Sequence, residues 1–517
     1  MNILGIGGVL SDSAAALIQG DRVAAAIEEA KLARSRQPGK LPEAAIATCL
    51  RIAGIKPQDV DVVALARPLP SGSALPVALR AFCRARLVSI DHHAAHAASA
   101  FYPSGFDQAT VVTLDRAGDL RCGGKWRGEG KRLTVEEEIL YPDSIAELYG
   151  RVTDLLGFRA RSDEHFVQWL SVTGKPEYAG VFGEIVRGRM IDQSFIDTGR
   201  QGYGGFGAKF FEKLGAAPDP ALTPQQRADI AASVQQTLEN YVLNLAGDAE
   251  YLCLAGGIAW NALLVSSLEH SRRFRGVFAQ PAAGNAGTAL GAALAAWADN
   301  SAGSGHIDAG NYCLGPSYSA AEMKQVLENC KLRFHLLATV TETVKAAVDQ
   351  LKDNRILAWM QGRMEFGPRA LGNRSILASP LDPYSTENLN TFIKHREGFR
   401  KFAASVPSER AAEFFECGPG ARYLATVGHV LPKYREQFRG AILAGDLVRV
   451  HTVSREDNPL YWQLLHAFGD ATGLPVLYNT SFNLFGEPLV CTPRDAVRSF
   501  YASGIDAMVA GNFLLLK

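Results

Sequence analysis

A chain of 517 residues is too long for one ordinary hydrophobic core and suits two or three domains. Its 47% apolar and 21% charged residues are a globular balance rather than a disordered one. The 53 lysines and arginines cancel the 53 aspartates and glutamates, so no global basic field draws the chain to nucleic acid or a membrane surface, although a local cationic pocket is still allowed.

The eight cysteines (49, 83, 122, 253, 313, 330, 417 and 491) include no C-x-x-C pair. This spacing argues against a zinc knuckle or a disulfide framework and fits reduced thiols. Met1-Asn2-Ile3-Leu4-Gly5 lacks the basic start of a signal peptide, and no apolar run approaches the ~20 residues of a membrane helix. A soluble cytoplasmic protein is expected.

In chain order, Ile3–Ile6 reads as a strand and Gly7-Gly8 as a bend. A hairpin follows, with arms Ala14–Ile18 and Arg22–Ile27 around Gln19-Gly20-Asp21. Pro42–Ala53 reads as a helix and Asp59–Ala66 as a strand. Near residue 109 the first pattern recurs. Ala109–Leu114 is a strand ending at Asp115, Asp119–Trp126 is the next, Gly128-Glu129-Gly130 a turn, and Arg132–Leu140 the return. Two units that each place an acidic residue after the first strand suggest an internal duplication of the actin-like kind, although two unrelated hairpins in a mixed α/β domain read the same way. Helical spacing follows over Ser144–Leu156, Gln225–Leu245 and Thr288–Trp297. Gln201–Gly207 is a glycine-rich loop, and Asp299–Gly310 has the composition of a linker. A new apolar rhythm starts near Cys313, giving expected domains of 1–312 and 313–517, the second long enough, at about 205 residues, to be a domain.

His92-His93-Ala94-Ala95-His96 is the first pointed signal. On a helix His92 and His96 share one face within reach of one metal ion, and Asp115 is a plausible third ligand. One carboxylate with two imidazoles suits iron or zinc. The alternative is a polar helix start capped by Asp91. Leu252–Asn261 reads as a strand running through Gly256-Gly257 into a helix, which lets backbone amides approach a phosphate. Gln280–Gly287 is another small-residue loop before a helix. In the C-terminal half, Gly362–Ser375 interleaves Arg363, Arg369 and Arg374 with glycines. Lys394-His395-Arg396-Glu397, Arg400-Lys401-Phe402, Arg449 and Asn479-Thr480-Ser481-Phe482-Asn483 follow. Guanidinium forks pair with phosphate oxygens, so a small polyanion is a better match than plain solvated surface.

As an ordered set these motifs resemble the O-carbamoyltransferase family of nodulation-factor and antibiotic-tailoring enzymes. The resemblance spans nearly the whole chain. It runs from Asp-Ser-Ala-Ala-Ala (12–16), the histidine run and Asp115 through Ala-Gly-Gly-x-Ala-x-Asn (255–261), Gln-Pro-Ala-Ala-Gly (280–284) and Gly-Pro-Arg-Ala-Leu-Gly-Asn-Arg-Ser (367–375). It closes on Arg-Glu-Asp-Asn-Pro (455–459), Asn-Thr-Ser-Phe-Asn (479–483) and Gly-Asn-Phe-Leu-Leu (511–515). It implies an α/β protein with an N-terminal actin-like ATPase domain, a duplicated threonylcarbamoyl-transferase-like module, and a C-terminal YrdC-like domain. The implied function is ATP-dependent activation of carbamoyl phosphate as carbamoyl-adenylate and transfer of the carbamoyl group to a hydroxyl or amine of a small metabolite. ATP and Mg2+ are the implied cofactors, with iron or zinc in the first module. Nucleic acid and membranes are not expected partners, and the family suggests a homodimer.

Carried over residue by residue, Arg369, Arg374, Lys394, Arg449, Asn479 and Ser481 match positions that hold carbamoyl phosphate and the adenylate. Arg369, Lys394, Arg449, Ser481 and Asp12 form the implied catalytic set. Gly256, Gly257 and Asn261 match the nucleotide side of the first module; His92, His96 and Asp115 match metal ligands. The chain departs from the pattern around that metal. Asn285 stands where the family has a ligating Asp, Arg116 replaces a Gly, Ser11 replaces a His, and Phe166 falls near a family Lys. The expectation is intact carbamoyl activation with an altered transfer site. The other readings are an adenylate-forming protein whose transfer site is lost, and a non-catalytic binding or scaffolding paralogue.

Overall fold

A computed structural model of the chain describes residues 1–72, 74–199, 203–216, 221–300, 305–395, 401–484 and 486–517. Two compact units form. One comprises Met1–Ile90, a segment beginning at Asn285, and Ile307–Lys517; the other is Asp91–Gly284 with a short stretch ending at His306.

The first unit opens with strands β1 (Asn2–Gly7), β2 (Ala14–Gln19) and β3 (Arg22–Glu28), almost wholly buried runs of Ala, Ile, Leu and Val. The short helix α1 (Glu29–Ala33) continues β3, and α2 (Glu43–Ala53) follows. Strands β4 (Val62–Ala66) and β5 (Arg86–Ile90) complete a sheet of order β3-β2-β1-β4-β5. The β2 and β3 pairings are antiparallel and the β4 and β5 pairings parallel. Helix α2 packs Ala45, Ile46, Cys49 and Leu50 onto this sheet. The helix Gly287–Asn300 lies so close to β1 that a side chain at Gly5 would strike the Ala289 carbonyl.

The second unit begins with α3 (His92–Phe101), then β6 (Gln108–Gly118), β7 (Arg121–Glu129) and β8 (Arg132–Leu140), and later β9 (Tyr251–Ala255) and β10 (Gly276–Ala279). Its sheet order is β8-β7-β6-β9-β10, again two antiparallel pairings followed by two parallel ones. The same order and directions recur, so the expected duplication is real and the two-unrelated-hairpins alternative falls. The helices expected at 144–156 and 225–245 form as Ile145–Leu155, capped by Ser144, and Pro224–Ala246, capped by Thr223.

Boundaries shift in four places. β6 continues past Asp115 to Gly118, and the chain reverses at Asp119 and Leu120, which take left-handed φ of 54° and 64°. β7 then runs through Gly128 and Glu129, leaving Gly130 and Lys131 for the turn. Residues Pro57–Asp59 form a 3-10 turn instead of starting β4. After β9, a 3-10 turn (Gly257–Trp260) intervenes before the helix Ala262–His270.

The C-terminal part of the first unit is a mixed eight-stranded sheet. Its strands are β11 (His335–Leu336), β12 (Leu357–Met360), β13 (Arg374–Ala378), β14 (Ala403–Pro407), β15 (Val450–Val453), β16 (Leu477–Ser481), β17 (Ala507–Ala510) and β18 (Phe513–Leu516), in the order β11-β18-β17-β12-β13-β16-β14-β15. Alternation divides the strands between two cores: Met360, Ile376, Ala404 and Tyr478 on one face, Trp359, Leu377 and Leu477 on the other, where Tyr461 and Phe468 of α4 (Pro459–Thr472) cover them. All eight cysteines are free, and no described helix is long and apolar enough to cross a membrane.

Candidate functional site

Asp91 starts α3 by accepting hydrogen bonds from His93 N (3.0 Å) and Ala94 N (3.1 Å). Helical spacing then puts His92 and His96 on one face, ring centroids 4.6 Å apart. Asp115 comes from β6, its Oδ2 3.3 Å from His92 Nε2 and 3.4 Å from His96 Nε2. The three ligand atoms lie within 4.8 Å of one another. A side chain at Gly118 would overlap the His92 ring, so the glycine keeps β6 against the imidazole.

Burial drives the His96 pKa down. Burial alone would raise the Asp115 carboxyl, but hydrogen bonds and charge from His92 and His96 hold it well below the usual carboxylate range. A carboxylate and two imidazole nitrogens aimed at one point fit a divalent ion such as iron or zinc. His93 faces elsewhere. Its Nδ1 meets Thr113 Oγ1 at 3.1 Å, and burial first, then its neighbouring histidines, lowers its pKa to about 3. Asp91 does cap the helix, as the bland alternative holds, and the histidines still converge.

Arg116 is less awkward than its position suggests. Its backbone N donates to Asp115 Oδ1 (2.8 Å), while its guanidinium turns to Glu147 (3.1 Å). Gly256, at φ 85°, lets β9 pass flush against the Leu114 carbonyl, and a Cβ at Gly257 would sit 3.5 Å from Asp115 Oδ1. The glycine pair therefore adjoins the histidine–aspartate cluster. Asn261 is committed otherwise: its Oδ1 caps the next helix at Leu264 N (2.9 Å), and its Nδ2 donates to Gln235 (2.8 Å).

Asn285 and Ser11 belong to the other unit, where two departures from the family pattern meet. Asn285 Nδ2 donates to Ser11 Oγ at 2.8 Å, and Asn285 Oδ1 is buried without a hydrogen-bond partner. Asp12 forms an ion pair with Arg36 at 3.0 Å on a largely exposed surface.

The second cluster gathers at one end of the eight-stranded sheet. Antiparallel register sets Ser375 of β13 beside Ser481 of β16, and Asn479 beside Ala403 of β14. The Arg449 carbonyl accepts from Ala404 N (2.8 Å) at the adjoining start of β15. Arg374, Asn479, Ser481, Lys401 and Arg449 thus share a strand edge. Lys394, ending a π-helical turn, reaches it with Nζ 2.6 Å from Ser481 O, 2.9 Å from Asn483 O and 2.8 Å from Asn483 Oδ1. The loop between β12 and β13 closes over the same edge, because Asn479 Nδ2 donates to Ala370 O (3.1 Å).

Within this group the arginines differ. Arg374 is fully buried and its fork is spent on the carbonyls of Gln361 (2.5 Å), Gly362 (3.3 Å), Asn373 (3.0 Å) and Pro316 (3.3 Å), so it builds the loop. Arg369 is half-buried and makes no hydrogen bond or ion pair with any described residue; burial lowers its pKa to about 10. Lys401 is likewise half-buried without a described partner, and burial lowers its pKa. Arg396, Glu397 and Arg400 of the expected basic run, Gln201 and Gly202 of the glycine-rich loop, and part of the expected linker lie outside the described residues.

Sequence reasoning missed three supporting groups. Ser405 Oγ meets His451 Nδ1 (3.0 Å) and accepts from Asn479 Nδ2 (3.2 Å), fixing that amide from behind. Glu365 is wholly buried, and its Oε1 accepts from the backbone N–H groups of Leu371 (2.9 Å), Asn373 (2.9 Å) and Arg374 (3.0 Å). Asn483 carried a signal inside the Asn-Thr-Ser-Phe-Asn run; Ser405, His451 and Glu365 become visible only through burial.

The chain thus carries a duplicated α/β module with a histidine–aspartate cluster and a second α/β sheet at whose edge Arg369 and Lys401 meet no described partner. The chain belongs to the carbamoyltransferase family: residues 2–68 and 72–294 match its carbamoyltransferase N-terminus, and residues 348–517 its carbamoyltransferase C-terminus. It is 34% identical to an uncharacterized protein of Synechocystis over 100% of this chain and 97% of that one. Identity is 32% to the nodulation protein NolNO of Sinorhizobium fredii, over 98% of this chain and 79% of that one. It is also 32% to the 3'-hydroxymethylcephem-O-carbamoyltransferase of Amycolatopsis lactamdurans, over 50% and 48%. Among solved structures, HypF of T. kodakarensis aligns with 18% identity and a TM-score of 0.36 over 58% of this chain and 48% of that one.

Proposed function

We propose that this carbamoyltransferase is ATP-dependent, with donor activation and transfer divided between its C-terminal (313–517) and N-terminal (1–312) modules. The observation that carries the proposal is Arg369, a half-buried guanidinium with no described protein partner, on the loop whose Ala370 carbonyl is held by Asn479 at the strand edge that Lys394 reaches. A half-buried cation without a protein counter-charge is stabilised by an anionic ligand. Carbamoyl phosphate, the donor the family resemblance implies, carries the negative charge that edge would hold.

In this scheme carbamoyl phosphate releases inorganic phosphate to water, and the carbamate oxygen attacks the α-phosphorus of Mg2+-bound ATP. Pyrophosphate leaves and carbamoyl-adenylate remains. Arg369, Arg449 and Lys394 neutralise phosphate charge, while Ser481 and Asn483 hold the ammonium in place. The acceptor hydroxyl, or amine, of a small metabolite then attacks the carbamoyl carbon and AMP departs. His92, His96 and Asp115 would hold iron or zinc, which supplies Lewis acidity for that transfer. Gly256 and Gly257 would present backbone N–H groups to the nucleotide, and Asp12 would act with the catalytic set. A cytoplasmic homodimer belongs to the same proposal.

The test is carbamoyl-phosphate-dependent exchange of labelled pyrophosphate into ATP by the purified full chain. Exchange above background supports activation; its complete absence counts directly against it. The Asn285–Ser11 hydrogen bond favours a second reading, in which the adenylate forms but the transfer site is altered. A neutral amide brings no charge to a cation. Metal analysis separates the two readings, because stoichiometric iron or zinc that is lost in His96→Ala favours transfer.

A further inference from the structure

The loop that projects Arg369 is held from a distant part of the chain. β3 ends at Glu28, and α1 places Lys31 one turn later; both side chains are buried and form an ion pair at 2.8 Å. Lys31 Nζ donates to Glu365 O (2.9 Å) and Gly367 O (2.7 Å). Glu28 Oε1 accepts from Gly367 N (2.9 Å). Gly367 has φ 111°, a conformation open to glycine, and only Pro368 separates it from Arg369. The turn is thus gripped on both polar faces immediately before the arginine, while Glu365 gathers the three amides behind it.

Nearby contacts reinforce the grip. Arg363 donates to Ala24 O (2.9 Å) and Arg34 to Leu489 O (2.6 Å) and Pro488 O (2.8 Å). A buried ion pair adds little net stability compared with apolar packing, so its placement points to specifying a conformation. Two carbonyls and one amide of a single turn are the groups it specifies.

We infer that Lys31 and Glu28 are positioning residues of the donor site, holding the turn Glu365–Gly367 so that Arg369 faces the anionic donor. The N-terminal hairpin is therefore part of the machinery that binds carbamoyl phosphate, although it touches no substrate. The inference rests on the donor-site reading proposed above, and its test keeps the two apart.

The measurement is KM for carbamoyl phosphate and kcat in pyrophosphate exchange, on the full chain, for the parent, Lys31→Met and Glu28→Gln/Lys31→Met. The double variant leaves no unpaired buried charge and retains the acceptor for Gly367 N–H, yet removes the Lys31 donor that bonds both carbonyls. Expected is a KM at least 10-fold higher in both variants, with kcat changed less than about 3-fold. Unchanged KM in the variants, or parent-like KM in the double variant alone, overturns the inference and leaves the activation proposal standing. No exchange in the parent overturns both. Amide hydrogen exchange on the parent needs no variant to fold: the peptide 362–374 is expected to be protected together with 22–34, and exchange of the loop 10-fold faster than that hairpin overturns the inference.

Discussion

Arg369 and Arg374 stand five residues apart in one glycine-rich loop and do different work, because one fork meets carbonyls and the other meets none. Replacing Arg369 by Gln removes the charge that the proposed donor site would aim at its anion, without disturbing a hydrogen bond to any described residue. The expected result is a fall of roughly 100-fold in kcat/KM for pyrophosphate exchange with little change in thermal stability. Arg374→Gln should instead lower the unfolding temperature, since its fork bonds three carbonyls of the loop and that of Pro316. Behind them His451 gives a pH signature. Burial lowers its pKa from 6.5 to about 4, so the folded protein keeps it neutral while the unfolded chain takes up a proton below pH 6.5. Its contribution is complete above pH 6.5 and is lost as pH falls toward 4, about 3 kcal/mol in all. Chemical denaturation of the parent and His451→Gln between pH 7.5 and 4.5 checks this; the variant's curve should be flatter by that amount.

At the scale of elements, the histidine–aspartate cluster depends on three features meeting: a capped helix, a strand carried beyond its acidic residue, and a glycine pair at the next strand's end. Gly256 is the tightest of these. Its φ of 85° and its contact with the Leu114 carbonyl leave no room for a side chain, so Gly256→Ala must move β9 away from β6. A loss of about 3 kcal/mol is expected from the backbone strain and overpacking combined. Because Gly257 adjoins Asp115, metal content should fall with it, measured as bound iron or zinc per chain. The helix start was legible in Asp91 followed by the histidines, and the hairpins in their turn residues. The left-handed reversal at Asp119–Leu120 was not, because a strand can overrun its acidic residue wherever a neighbouring ladder offers hydrogen bonds.

At the scale of the whole molecule, the first unit mixes residues from both ends of the chain. One apolar core joins Leu4, Ile6, Leu17 and Ile27 to Met364, Ala370, Leu489 and Cys491. Buried polar contacts from Lys31, Glu28, Arg34 and Arg363 cross the same junction. Expressed alone, residues 313–517 would expose those apolar side chains and leave the 365–367 turn unheld. The fragment should therefore lack a cooperative unfolding transition, checked by calorimetry, and should bind a hydrophobic dye. A sharp transition near that of the full chain would sink the expectation.

The histidine run, the acidic strand end, the glycine pair and the spaced arginines were readable from the amino-acid order, since each is a local pattern whose chemistry depends on residue type and short spacing. So was the duplication, once the second hairpin repeated the first. Tertiary structure alone decided which arginine is free and which is bound, that Asn285 and Ser11 form one pair, and that Lys31 and Glu28 grip a loop more than 330 residues away. Whether a charged side chain meets water, a carbonyl or a ligand is set by burial and by partners distant along the chain, and no local pattern in the sequence encodes either.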